Sequence, residues 1–202
     1  MVIETEKKIA LSELRDIDSA KALLELVYGD IHQLEPPIDV NKIALSISNL
    51  KVSEDLDSPN FDKAGFIKVN RDSSNRIQDI SIWANPVEPE VRRRFTKAHE
   101  LGHLVYDVFP AITDSTINEE FIDTLNRKEG SRSFRETRAN RFAAQLLMPS
   151  FLIKKELNLL IKTLKSENKK VSINDVINHL CSKFDTSFDA MRIRLESLNI
   201  IK

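Results

Sequence analysis

The stretch His99-Glu100-Leu101-Gly102-His103 decides how the rest of this sequence is interpreted. Its two histidines are four residues apart, so a helix would place both imidazoles on one face, where they could bind one metal ion. Glu100 lies beside them, and a carboxylate in that position can accept a proton from a water molecule. The alternative is a pair of solvated or capping histidines on an ordinary helix.

The residues around this motif predict a helix over 88–107. Pro89 and Glu90 suit its first turn. Apolar residues then recur with helical spacing, at Val91, Phe95, Ala98, Leu101, Leu104 and Val105. Gly102 costs about 1 kcal/mol relative to alanine inside a helix, which indicates that another part of the chain packs very closely there.

The remaining elements follow from periodicity and end signals. Segments rich in β-branched and aromatic residues predict strands over 50–52, 65–69 and 80–83. Helical spacing predicts further helices over 11–27, 39–48, 134–148, 151–165, 173–183 and 188–198. Expected caps and stops are Asp39, Ser133, Ser150, Ser172 and Ser187, then Gly29, Pro110 and Pro149. A small three-stranded sheet followed by packed helices is an α+β fold.

Composition excludes several other classes of protein. The chain has 30 basic and 31 acidic residues and a net charge of -1, which argues against a broad nucleic-acid surface. A single cysteine, Cys181, excludes an intrachain disulfide and fits a reducing compartment. No apolar run approaches the roughly 18 residues needed to span a bilayer. We therefore expect a cytoplasmic protein without direct nucleic-acid or membrane partners.

A zinc site at the two histidines would need a third protein ligand and an open position for water. The carboxylate candidates between Asp107 and Pro149 are Glu119, Glu120, Asp123, Glu129 and Glu136. On a helix, Glu136 and Asn140 share a face, so Asn140 could accept an imidazole N–H and orient a ligand histidine. Glu136 also completes a Ser133-Phe-Arg-Glu136 capping box, in which it would only satisfy the backbone. Spacing alone leaves both roles of Glu136 open.

Two motifs together resemble the ImmA/IrrE family of zinc metallopeptidases. The first is Arg94-Phe-Thr-Lys-Ala-His99-Glu-Leu-Gly-His103, and the second is Glu136-x-x-Ala-Asn140-x-Phe-Ala-x-x-Leu-Leu-Met-Pro149. The resemblance covers about residues 37–201 and extends to a closing helix pair. It implies a zincin-like core that holds Zn²⁺ through His99, His103 and Glu136, with Glu100 as general base.

The resemblance also implies a domain plan and a biological role. We expect an N-terminal helical segment over 1–36, a zinc peptidase core over 37–150 and a C-terminal helical region over 151–202 packed on that core. Family members often act on a helix-turn-helix repressor or an antitoxin-type protein encoded beside them. The expected activity is therefore zinc-dependent endopeptidase cleavage of such a regulator. The alternative is a non-proteolytic, metal-binding module that binds the same kind of partner.

Two features depart from the family pattern. Many members carry a histidine shortly after the first motif, where this chain has Asp107, so the role of that position stays open. The stretch over 110–133 is long and polar, as in a loop that shapes the cleft.

A few other residues have a structural and a functional interpretation. Arg92, Arg93, Arg94 and Lys97 suit a charged outer helix face, or attraction of an acidic substrate. Trp83 suits the core, or a strand that pairs with an extended substrate. Tyr106 and His179 are polar aromatics for which packing is the favoured role, and Cys181 suits a small buried apolar site.

Overall fold

The computed structural model describes residues 8–56, 61–74, 76–112 and 129–202. Three of the carboxylates considered as metal ligands, Glu119, Glu120 and Asp123, lie outside the described residues, as does most of the polar stretch over 110–133.

The N-terminal part contains short helices rather than one long helix. A 3-10 helix at Leu11–Asp16 precedes α1, which spans Ala20–Tyr28. The helix predicted over 11–27 is wrong because the chain turns extended after Asp16, and the Ser19 hydroxyl accepts a hydrogen bond from the backbone N–H of Ala22 to start α1. Gly29 ends α1 with a φ of 69°, as expected.

The second α-helix follows its predicted cap. A 3-10 turn at Ile31–Gln33 leads to α2 at Val40–Ser46. The Asp39 carboxylate accepts from the backbone N–H of Lys42 at 2.9 Å, which confirms the predicted N-cap.

A three-stranded sheet follows, as predicted. Its strands are β1 at Leu50–Ser53, β2 at Gly65–Arg71 and β3 at Ile77–Ala84. The order is β1-β3-β2, with β1 parallel and β2 antiparallel to the central β3. One strand face is buried, because Ile67 and Val69 of β2 lie opposite Ile82 and Ile80 of β3. β2 therefore forms an edge of the sheet among the described residues.

The motif helix α3 spans Glu90–His103 and continues through a π-helical turn, Leu104–Val108, into α4, Phe109–Ile112. Pro110 lies inside α4, so its prediction as a helix stop is wrong. A proline there leaves the carbonyl of Tyr106 without its usual helical donor. The Arg138 guanidinium donates to that carbonyl at 3.1 Å, which replaces the missing bond.

Four further helices complete the described chain: α5 at Glu129–Leu147, α6 at Ser150–Ser166, α7 at Ile173–Phe184 and α8 at Phe188–Ser197. Ser172 and Ser187 cap α7 and α8 as predicted. The predicted caps at Ser133 and Ser150 are wrong, because Ser133 lies inside α5 and Ser150 is the first residue of α6. Since α5 begins before Ser133, the capping-box role of Glu136 loses its basis.

One hydrophobic cluster joins the N-terminal helices, the sheet and the C-terminal helices. It includes Leu24 of α1, Ile82 of β3, Leu146 of α5 and Leu180 of α7. The α+β prediction is confirmed, while the division into three segments stays a prediction. Cys181 is half-buried at the margin of this cluster. None of the described helices has the length and apolar character needed to cross a membrane.

The closest helix packing is between α3 and α5. A Cβ atom on Gly102 would lie 3.1 Å from the Cα of Ala139 and 3.2 Å from the Cβ of Phe142. This confirms the close approach that a glycine within a helix predicted. His103 meets Glu136 and His99 meets Asn140, so the two helices run antiparallel.

Gly65 gives a test of the packing between the sheet and α3. A Cβ at this position would lie 2.6 Å from the carbonyl oxygen of Trp83 and 2.3 Å from the Thr96 methyl. We expect Gly65→Ala to lower the free energy of unfolding by about 1–3 kcal/mol through overpacking, as measured by urea denaturation. Lys68→Ala is the control, because Lys68 is exposed on the same strand. Equal stability of the two variants would contradict the packing described.

Candidate metal centre

Three side chains from α3 and α5 converge on one point. The Nε2 atoms of His99 and His103 are 2.9 Å apart. The Glu136 carboxylate lies 3.3 Å from Nε2 of His99 through Oε2 and 3.5 Å from Nε2 of His103 through Oε1. One turn of α3 supplies both imidazoles, and the antiparallel α5 supplies the carboxylate.

These distances fit a tetrahedral metal ion. Ligand atoms about 2.0–2.1 Å from a tetrahedral zinc ion are separated from each other by about 3.3 Å. The two Nε2 atoms are 2.9 Å apart, and each lies 3.3–3.5 Å from a different oxygen of the Glu136 carboxylate, so the separations lie around that value. Two imidazole nitrogens and one carboxylate oxygen also form a donor set that suits zinc and leaves a fourth position for water. The group could therefore hold a metal ion without rearrangement of the two helices.

Each histidine is oriented by a hydrogen bond at its other ring nitrogen. Nδ1 of His99 donates to Oδ1 of Asn140 at 2.9 Å, and Nδ1 of His103 donates to Oδ2 of Asp107 at 2.8 Å. When the imidazoles are neutral, as a metal requires, these bonds leave a lone pair on each Nε2, directed toward the shared point. The structure thus places Asn140 where its predicted orienting role requires it.

Glu100 is buried beside the ligands. Glu100 is only 7% exposed, and it lines the same cleft as both histidines. Burial raises the pKa of the Glu100 carboxyl, although the charges of His103 and His99 oppose this shift. A carboxyl group with a raised pKa is suited to taking up and returning a proton near neutral pH.

The ligand group has strongly shifted proton affinities. Burial alone would lower the pKa of His103, but hydrogen bonds to Asp107 and Glu136 outweigh it and raise the pKa to about 9. Hydrogen bonds from His103 and His99 hold the pKa of the Glu136 carboxyl well below its usual range. Without a metal, the site is therefore an ion pair between an imidazolium and a carboxylate.

The three ligands lie on the wall of an open cleft of about 580 Å³. The N-terminal half of β2, from Gly65 to Ile67, forms the opposite wall. Thr96 and Phe95 of α3 lie between this strand and the ligands. The cleft thus joins a metal-binding group, a buried acid and the edge of a β-sheet.

The sequence model of the M78 peptidases, described as the IrrE N-terminal-like domain, matches residues 56–196. The chain belongs to the ImmA/IrrE family. The match covers more than half of the chain and includes every residue of the candidate centre, although it is narrower than the range of 37–201 expected from the motifs. No curated protein matches the chain.

Family membership establishes a peptidase domain, hence a hydrolase. Within this ImmA/IrrE chain, the group of His99, His103 and Glu136 could bind a metal.

Asp107 is the site residue that sequence reasoning missed. It lies on the π-helical turn, only 7% exposed, and its Oδ1 accepts from Arg138 at 2.6 Å. Arg135 approaches the same oxygen at 3.7 Å. Asp107 is four residues after His103 in a predicted helix, so the spacing itself could have identified it as a partner of that histidine.

The basic residues of α3 are mostly structural. Arg93 and Lys97 both pair with Glu54, and Lys97 is only 6% exposed. Arg94 pairs with Asp185 at 2.8 Å and donates to the carbonyl of Ile38 at 2.9 Å. The prediction of a charged outer face is therefore wrong for these three residues, which tie α3 to neighbouring segments. Arg92, by contrast, lines the cleft.

Both polar aromatics lie outside the cleft lining. The Tyr106 hydroxyl donates to the carbonyl of Asp18 at 2.8 Å, and its ring packs against Phe142. His179 is half-buried on α7 and does not line the cleft. The packing role predicted for these two residues agrees with their positions.

Removal of Asp107 tests its orienting role. We expect Asp107→Ala to weaken zinc binding about 10–100-fold, because the His103 ring loses the acceptor that fixes its orientation. Asp107→Asn should lose less zinc affinity, since the asparagine amide oxygen can still accept a hydrogen bond from Nδ1 of His103. Competition titration with a zinc indicator would measure both, with circular dichroism as the control for folding. Unchanged zinc affinity in Asp107→Ala would contradict the role.

The pKa of His103 predicts the pH dependence of metal binding. A ligand imidazole must be neutral, so at pH 7 a metal displaces the proton that His103 carries below about pH 9. Zinc affinity should therefore rise with pH up to about 9. Titration calorimetry in buffers of different ionisation enthalpy should show at least one proton released at pH 7, and fewer in Asp107→Ala. Equal proton release from the wild type and Asp107→Ala would contradict the claim that Asp107 raises the pKa of His103.

Proposed function

We propose that this protein is a zinc-dependent endopeptidase, with His99, His103 and Glu136 as the metal ligands and Glu100 as the general base. The observation that carries the proposal is the convergence of two Nε2 atoms and one carboxylate, within 2.9–3.5 Å of each other, beside a buried acid in an open cleft. Membership of a peptidase family supports hydrolysis of a peptide bond as the reaction.

The chemistry divides between the metal and Glu100. A bound zinc ion would lower the pKa of a coordinated water and polarise the scissile carbonyl. The Glu100 carboxylate accepts the proton of the attacking water and then donates it to the leaving amine. Asn140 and Asp107 keep the two imidazoles in the tautomer that leaves Nε2 free for the metal.

The sheet edge supplies a means of holding an extended substrate. Among the described residues, β2 pairs only with β3, so the backbone groups on its outer edge remain available beside the cleft. An extended peptide can add to such an edge through main-chain hydrogen bonds. Trp83 is excluded from this role, because it lies in the central strand β3 and its indole N–H donates to the carbonyl of Asp55 at 3.0 Å.

We further propose a helix-turn-helix repressor or antitoxin-type protein as the substrate. This part rests on the family resemblance of the two motifs. A protein substrate is consistent with the open cleft, which can admit a polypeptide from the side. A module that binds such a repressor without cleaving it is the competing function.

Glu100→Gln tests the chemistry. The amide cannot accept a proton, so we expect loss of about 10²–10⁴-fold or more in cleavage rate with zinc still bound. The matched control is Glu90→Gln, which makes the same change at an exposed position of the same helix. Cleavage of a candidate helix-turn-helix repressor would be followed by mass spectrometry, and zinc content by metal analysis. Full activity in Glu100→Gln would contradict the assignment.

A chelator separates the two candidate functions. Fragments that appear with the zinc-loaded protein and vanish with chelator would support the peptidase. A stable complex between intact proteins, with no fragments under either condition, would support the binding module instead.

A further inference from the structure

An apolar groove of about 780 Å³ lies next to the cleft. It is formed between the N-terminal half of α3, the C-terminal half of α5 and the last helix, α8. Its apolar lining includes Val91, Phe95, Leu147, Met148, Ala190 and Ile193. Ile193 is 59% exposed, so its side chain is accessible to a ligand in the groove.

The groove adjoins the cleft that holds the ligands. Arg92, Phe95 and Asn140 line both cavities. Asn140 is hydrogen-bonded to His99, so a residue that lines the groove directly contacts the metal-binding group. A peptide chain that leaves the cleft on this side would enter the groove directly.

The groove also has a distinct charge. Its lining includes Arg92, Arg141 and Arg194 but no aspartate or glutamate. Arg92 already pairs with Glu88, at 3.5 Å, so the charge of the groove rests on Arg141 and Arg194. Arg194 is only 8% exposed, and its donors reach the carbonyl of Met148 at 3.0 Å and the Ser197 hydroxyl at 3.5 Å. Arg141 is exposed. No carboxylate of the described residues pairs with either Arg141 or Arg194. A poorly solvated guanidinium without a counter-ion favours an anionic ligand.

We propose that this groove is the recognition subsite for one side of the substrate, and that it selects a segment with apolar side chains and at least one carboxylate. The inference rests on the proposed peptidase function, because it uses the path of a peptide through the cleft. Apolar side chains of the substrate fill the space between α5 and α8, and its carboxylate pairs with Arg141 or Arg194. Cleavage specificity is then set by residues of α8, far in sequence from the metal motif.

Two exposed isoleucines provide a matched test. Ile193→Glu introduces a carboxylate into the groove, whereas Ile173→Glu makes the same change at a side chain that is 61% exposed on α7 and lines no part of the groove. Arg141→Glu tests the charge preference separately. Thermal unfolding of all three variants controls for damage to the fold.

The probe is a short fluorescein-labelled peptide of leucine, isoleucine, serine and glutamate. Two control peptides are compared with it: in one, serine replaces the apolar residues, and in the other, lysine replaces glutamate. Binding is measured by anisotropy on zinc-loaded Glu100→Gln protein, so that cleavage does not interfere. We expect the apolar, acidic peptide to bind about tenfold or more tightly than either control peptide. Ile193→Glu and Arg141→Glu should each weaken it by a similar factor, and Ile173→Glu should not.

The outcomes separate the subsite from the peptidase function. Equal binding by the Ile193→Glu and Ile173→Glu proteins, or no preference among the peptides, would overturn the subsite even if the wild type cleaves proteins. Groove-dependent binding without any cleavage by the wild type would support the subsite and count against the peptidase. A dimer in sedimentation that Ile193→Glu abolishes would assign the groove to a second copy and overturn the proposal.

Discussion

The close antiparallel packing of α3 against α5 is the constraint on which the rest of the site depends. Gly102 allows the backbone of α3 to approach Ala139 within van der Waals distance. Within one helical turn of this contact, His103 meets Glu136 and His99 meets Asn140. A larger residue at position 102 would separate the helices and move the carboxylate away from the imidazoles. The absence of a side chain at Gly102 thus helps to bring the imidazoles and the carboxylate together.

The surroundings of this contact hold the ligands in place. Asp107 is buried and negatively charged, which is costly unless a cation compensates it. Arg138 supplies that charge and also donates to the carbonyl that Pro110 leaves without a helical partner. One guanidinium therefore stabilises both the irregular turn after His103 and the acceptor that orients His103. On the other face of α3, the pairs of Arg94 and Lys97 fix the helix to the segments around Asp185 and Glu54.

Local sequence patterns predicted most of the elements and the central residues of the site. Segments rich in β-branched and aromatic residues located all three strands, and the helical spacing of His99 and His103 located the two imidazoles. What the patterns could not predict depends on contacts between distant segments. Ser133 has the residue type of a cap, but the helix extends past it. Pro110 has the residue type of a stop, but Arg138 satisfies the carbonyl that it exposes.

Asp107 shows the same limit at the site itself. Its spacing from His103 was visible, yet its importance depends on burial and on Arg138, which is 31 residues away in the chain. The groove beside the cleft likewise combines α3, α5 and α8, so no single stretch of sequence indicates it. Spacing along one helix thus predicts residues whose partners lie on that helix. Residues whose role depends on a contact between two helices can be identified only from the structure.

The most direct test of the central claim is the coordination of zinc in the loaded wild-type protein, measured by X-ray absorption spectroscopy or by anomalous diffraction at the zinc edge. The account predicts a tetrahedral ion with two imidazole nitrogens from His99 and His103 at about 2.0–2.1 Å, one Glu136 oxygen at about 2.0–2.2 Å, and one water. An ion bound without Glu136, or bound away from the two histidines, would contradict the account.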